Sequence, residues 1–222
     1  MSLATLLRNL LLAASVSLAA AAFARELELA VLPLANHTNL AAAPAELEPV
    51  LTEALTERGW TLLTSSELRP FLREFRIRSR GWIGRASAQR LAERTGSRFL
   101  LLGSWDVFRQ GQEAEVGLSL RLLDTGTMTL VRAVSCGTTA EDQVGLLGLG
   151  KVSSCRELAA RLLDEALADW TPADLVTPPT AEGPALALIP LDNFTTDEHA
   201  GSILDGVLVS RLFGRGYQVI EP

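Results

Sequence analysis

The spacing of apolar and polar residues changes along the chain, and each spacing predicts an element. Residues 27–34 are almost unbroken in apolar side chains, as in a strand buried on both faces. Pro33 stands near the end of this run, where a missing N–H is best tolerated. Pro44 is a good first helical residue. After it, Leu47, Val50, Leu51, Ala54 and Leu55 form one apolar stripe, with Glu46, Glu53 and Glu57 toward water. Gly59 supplies a left-handed cap, and residues 60–63 predict a second strand. Thr64 and Glu67 have capping-box spacing for a helix reaching about residue 75. Residues 76–85, with Gly81 and Gly84, interrupt it, and another helix is predicted over 86–95, stopped by Gly96. Residues 98–105 read as a central strand. Val116, Leu118, Leu120 and Leu122 alternate with small or polar residues, as in a half-buried strand. Asp124-Thr125-Gly126 turns the chain back into a strand over 128–135. Residues 136–151 are expected to form a glycine-bearing loop. Ser154 and Glu157 suggest a capped helix over 155–170, with Leu158, Leu162, Ala166 and Trp170 on its buried side.

The first part of this pattern occurs twice. Residues 29–63 and 186–220 align without a gap at a constant offset of 157, with Pro33, Asn36, Thr38 and Gly59 meeting Pro190, Asn193, Thr195 and Gly216. Each copy reads strand, turn, amphipathic helix, strand. The expected fold is therefore α/β: a mixed sheet of about five strands with flanking helices, followed by a partial β-α-β repeat. Four regions result: a leader over 1–24, an α/β domain over 25–170, a proline-rich linker over 171–184 and the partial copy over 185–222. Two strands and one helix bury little and leave sheet edges open. The second copy must therefore dock on the first domain, pair with another chain, or belong to a longer protein, and the repeat arithmetic favours the last.

Residues 1–24 have the charged start (Arg8), short apolar core and small-x-small end (Ala22-Phe23-Ala24) of a secretory leader cleaved after Ala24. The apolar run is shorter than the ~20 residues of a membrane-spanning helix, so no span is expected after cleavage. With an Ala- and Arg-rich composition, this points to a bacterial periplasm. The net charge of −6 argues against a general nucleic-acid binder.

Candidate chemistry is sparse. Cys136 and Cys155 are the two cysteines, and in an oxidising compartment they are expected to be bridged, stabilising the fold by ~3 kcal/mol in the chain-entropy model. Residues 145–152 have P-loop glycine spacing and Lys151, but Val152 stands where magnesium needs a hydroxyl. Leu146, Leu147 and Leu149 in that loop form either an exposed apolar patch or part of the core. Asn36/Thr38 and Asn193/Thr195 are formal glycosylation sequons that a shared turn explains more simply. His37 and His199 hold non-equivalent repeat positions without metal-ligand spacing. No catalytic constellation or cofactor motif is evident, so neither enzyme activity, a metal nor a cofactor is expected. The densest charge feature runs from Arg69 to Arg98. Phe71, Arg73, Arg76, Arg78, Arg80, Trp82 and Arg85, together with the three loop leucines, make up a candidate interaction surface for an acidic partner, anionic glycan or lipid headgroups. A solvated helical face is the plainer alternative.

The segments Val31-Leu32-Pro33-Leu34-Ala35-Asn36-His37-Thr38, Gly96-Ser97-Arg98-Phe99-Leu100-Leu101-Leu102-Gly103-Ser104 and Leu122-Leu123-Asp124-Thr125-Gly126 resemble, in order and spacing, bacterial envelope domains of the CsgG, TolB N-terminal and LpoB type. Leu188 to Thr195 repeats the first of them. The resemblance implies a non-enzymatic periplasmic module that binds envelope proteins, such as a peptidoglycan synthase or an outer-membrane complex. A subunit of a CsgG-like assembly or secretion complex is the alternative, since open repeat edges would also let copies pair. The chain departs from LpoB and CsgG in lacking a cysteine for acylation after the leader, and from TolB in lacking the propeller.

Overall fold

The computed structural model describes residues 28–77, 81–111, 113–142, 154–175, 183–189 and 191–220. The elements are β1 (Glu28–Val31), β2 (Ala35–Asn36), α1 (Ala43–Glu57), β3 (Thr61–Leu63), α2 (Ser65–Glu74), α3 (Arg85–Thr95), β4 (Phe99–Arg109), β5 (Glu115–Asp124), β6 (Thr129–Thr139), α4 (Cys155–Ala166), β7 (Ala185–Ala187), α5 (Ala200–Gly214) and β8 (Gln218–Ile220). The fold is α/β. The main sheet has six strands rather than five, in the order β3-β1-β4-β5-β6, with β2 continuing β1 along β4. Pro33 falls in the gap between β1 and β2. β1 is parallel to β3 and β4, and β4, β5 and β6 form an antiparallel meander. The parallel half needs helical crossovers, and α1, α2 and α3 provide them.

Period-two alternation in β4 divides its apolar run between two cores. Phe99, Leu101 and Trp105 meet α1 and α4 on one face, while Leu100 and Leu102 meet α2 and α3 on the other. Arg58, just after α1, donates to the carbonyls of Leu167 at 2.7 Å and Asp164 at 2.8 Å, tying α1 to the end of α4. The indole N–H of Trp60 donates to the Trp170 carbonyl at 2.6 Å on the same side. The Thr64 N–H donates to Glu67 Oε2 at 2.7 Å at the head of α2. Ser154 heads α4 without a side-chain cap bond, and Glu157 instead pairs with Arg161 at 2.8 Å.

Two strands run further than expected. β4 continues to Arg109 and β6 to Thr139, so Cys136 is a strand residue rather than part of a loop. The reason is pairing: Leu118 opposite Cys136 and Val116 opposite Thr138 extend the ladder through a segment with no alternation of its own. A bulge at Asp106 shifts the β4–β5 register between Trp105 and Val107. It lets Trp105 and Phe108, an odd number of positions apart, enter the same core.

In the second copy, α5 and β8 stand at the 157-residue offset from α1 and β3, and β7 pairs with β8 in parallel in the same register as β1 with β3. This copy docks on the first domain. α5 and β8 lie over β5 and β6 on the α2/α3 face of the sheet, with Val209 and Val219 against Leu130. Gly206 sets the closeness of approach, since a Cβ there would stand 2.8 Å from Ser119 Oγ and 3.0 Å from its Cβ. α5 therefore uses a different face from α1. Gly206 and Val209 are equivalent to Pro49 and Thr52, which lie outside the buried stripe of α1.

Candidate functional site

A buried polar cluster lies where the second copy meets the sheet. Ser104 and Asp106 on β4, Ser119 on β5 and Ser135 on β6 share the face under α5. Ser104 Oγ donates to Asp106 Oδ1 at 2.6 Å and Ser119 Oγ to Oδ2 at 2.7 Å, with Ser135 Oγ 3.1 Å from Ser119 Oγ. His37, placed by β2, has Nδ1 3.1 Å from Asp106 Oδ1. Both carboxylate oxygens already accept hydroxyl protons, so the imidazole proton belongs on Nδ1. His199, from the turn into α5, stacks on His37 with ring centroids 4.9 Å apart. Histidines from non-equivalent repeat positions thus meet in space.

The order of this cluster determines what it can do. A nucleophilic triad places imidazole between acid and hydroxyl, so that the base takes the hydroxyl proton. Here the carboxylate is in the middle and both serines donate to it. The cluster cross-links β2, β4, β5 and β6. No group of three His, Cys, Asp or Glu suited to a metal occurs among the described residues. Sequence spacing did not reveal the cluster. Its one local signal is Ser104-x-Asp106, two polar residues on one face of an apolar strand.

The sequence-predicted residues fall into separate places. Asn36 Oδ1 accepts from Thr38 N at 3.1 Å and Thr38 Oγ1 at 2.7 Å, and Asn193 Oδ1 from Thr195 N at 2.9 Å and Thr195 Oγ1 at 2.8 Å. These are the same turn in both copies. The expected disulfide is corrected: Cys136 and Cys155 are free. Cys136 points from β6 into the α1/α4 core, whereas Cys155, at the head of α4, donates its thiol to the Arg109 carbonyl at 3.0 Å. Burial pushes the Cys136 thiol up to about 11, with Asp106 and Glu165 adding to the shift, and burial also raises Cys155. The thiolate fraction of Cys136 should therefore be about a hundredfold below that of a free thiol at mildly alkaline pH. An aromatic disulfide reagent is expected to leave Cys136 unmodified in native protein and to titrate two thiols in guanidinium chloride. Finding no thiol after denaturation would restore the bridge.

Phe71 does not belong to the interaction surface. It faces inward from α2 because its place in the helical period is shared with Leu68 and Leu72. Arg73, Arg76, Trp82 and Arg85 are exposed. Arg78, Arg80, Leu146, Leu147, Leu149, the P-loop-like stretch and the leader lie outside the described residues.

The second copy carries much of the exposed apolar surface. Ile189 is 81% and Phe194 93% exposed, and Leu191, Leu204 and Ile220 are also exposed. At the repeat offset, Ile189, Leu191 and Leu204 correspond to the buried Leu32, Leu34 and Leu47. In the first copy β4 covers one edge of β1; among the described residues β7 pairs only with β8.

The molecule is thus a mixed α/β domain with a half-domain docked on its sheet, and among the described residues one edge of β7 has no strand partner. No protein-family model and no curated protein matches the chain. Among solved structures it is similar to the PelC dodecamer from Paraburkholderia phytofirmans (18% identity, TM-score 0.45, covering 65% of this chain and 88% of that one). It is also similar to a lipoprotein from Neisseria meningitidis (14%, TM-score 0.41, 51% and 80%) and to the LpoB C-terminal domain from Escherichia coli (22%, TM-score 0.38, 50% and 81%). No helix among the described residues is long and apolar enough to cross a membrane.

Proposed function

We propose that this chain is a non-enzymatic protein-binding module of the bacterial periplasm, an adaptor or regulator in envelope biogenesis whose docking element is the second copy. The observation that carries the reading is the exposure of Ile189, Leu191 and Leu204, at positions where the first copy is buried. A partner segment lying along β7 would supply what β4 supplies to β1: backbone pairing on the free edge and apolar side chains over α5. The leader expected over residues 1–24 and the motif resemblance support the envelope setting, with a peptidoglycan synthase or an outer-membrane complex as the partner class.

A photo-crosslinking residue at position 194 is expected to capture a discrete envelope partner in the native cells. The double variant Ile189→Asp, Phe194→Asp should lose that partner at least tenfold while melting at the wild-type temperature, because both side chains are exposed. Retention of the partner by the variant would move the binding site elsewhere. The open β7 edge also favours a second reading, a subunit of an outer-membrane assembly complex in which copies pair through this edge. Light scattering should then give a multiple of the chain mass that collapses in the same variant.

A further inference from the structure

Charge is segregated in this chain. Between residues 64 and 98 lie nine of the 20 basic residues but only three of the 26 acidic ones. That segment is +6 and the rest of the chain −12.

Among the described residues the fold brings part of this charge together on two neighbouring helices. α2 and α3 both turn apolar residues toward the sheet, Leu68 and Leu72 from the first and Ala88 and Leu91 from the second. Arg73 stands on the outer side of α2 and Arg76 just past its end, while Arg69 lines a crevice beside Glu48 of α1, whose carboxylate it favours. Arg90 and Arg94 lie one turn apart on α3, Arg85 stands at its head, and these five arginines are exposed. Arg90 lies 5.7 Å over the Phe75 ring, which joins the two helices. Among the described residues none of these five forms an ion pair with a carboxylate. Trp82 stands in the connector between the helices, 49% exposed. Its neighbours Gly81 and Ile83 are buried, and Arg121 from β5 donates to the Gly81 carbonyl. The backbone is therefore held in an in-out-in path that directs the indole outward.

We infer that the outer face of α2 and α3 is a docking surface for an anionic lipid headgroup layer. Charge complementarity selects a negatively charged occupant, because guanidinium groups without carboxylate partners pair well with phosphate. The indole selects a lipid layer among such occupants: it is half-exposed in the connector between the two helices, and an amphipathic ring gains most at a membrane–water interface. This surface lies on α2 and α3 and is independent of the β7 edge, so each can fail without the other.

The test is co-sedimentation of the purified protein with phosphatidylcholine vesicles, with and without phosphatidylglycerol. Binding is expected only to the anionic vesicles and should weaken with added salt. Each arginine at such a surface contributes about fivefold, so Arg73→Glu, Arg90→Glu, Arg94→Glu together should weaken binding by more than a hundredfold. Trp82→Ala should weaken it separately and abolish any blue shift of fluorescence on binding. All four side chains are exposed, so the variants should melt like the wild type. Equal binding to neutral vesicles, or unaltered binding by the triple variant, would overturn the inference. Binding to a soluble polyanion with none to vesicles would also overturn it and assign the face to an acidic polymer.

Discussion

Gly103→Ala is expected to cost at least about 4 kcal/mol, a large part of the 5–15 kcal/mol that holds a domain of this kind together. Gly103 sits in the middle of β4, paired with Leu120 on β5. A Cβ built there would overlap the Ser119 carbonyl oxygen and stand 3.1 Å from Leu120 Cα. Both obstacles are backbone, so no rotamer change relieves them, and the two central strands would have to separate. Denaturant titration should show a lowered midpoint or no folded baseline. Gly214→Ala is the control: nothing lies within 4 Å of its added Cβ, and its φ is not in the left-handed range. It should change stability by no more than about 0.5 kcal/mol. If the two variants unfold alike, the tight β4–β5 contact is wrong.

Asp106→Ala is expected to cost roughly 3–5 kcal/mol. The substitution strands the Ser104 hydroxyl and the Nδ1 proton of His37, and leaves the Ser119 hydroxyl only its longer bond to Ser135. Ser104, Ser119 and Asp106 are buried, so water cannot readily replace the lost acceptor. Asp106→Asn should cost less, because an amide oxygen keeps one acceptor. The loss should also loosen the second copy, since His37 is the platform on which His199 stacks. Amide exchange at the start of α5 should therefore quicken more than exchange in α4. Uniform quickening would mean that the cluster supports the sheet alone and does not hold the half-domain.

Much of the element order was legible because it is written in local periodicity. The stripe of α1, the capping box at Thr64, the stop at Gly96 and the alternation of β5 each depend on residues a few positions apart. Strand ends were less legible. Cys136 lies in β6 because Leu118 pairs with it across the hairpin, and nothing within residues 136–139 signals that pairing. The bulge at Asp106 is visible only in hindsight, from Trp105 and Phe108 sharing one core. The disulfide expectation rested on compartment and number, and neither says where a side chain points. Cys136 packs into a core while the thiol of Cys155 is taken by a carbonyl at the end of β4. Phe71 was misplaced because a basic segment hides the helical period within it.

The candidate surfaces divide in the same way. The arginine-rich stretch was plain from composition, but that arginines of two helices are brought together follows from α2 and α3 packing on the same half of the sheet. The histidine–aspartate–serine cluster had no sequence signature, because its members are 69 and 13 residues apart and meet only when β2, β4 and β5 pair.

By itself the sequence determined the α/β class and the place of the basic segment, since each follows from spacing along the chain. Only the tertiary structure decided that the second copy docks through Gly206 and Val209 rather than through the equivalent of the α1 core stripe. The same repeated pattern serves both helices. Which face is buried depends on which uncovered sheet lies within reach, and that is a property of the assembled first domain.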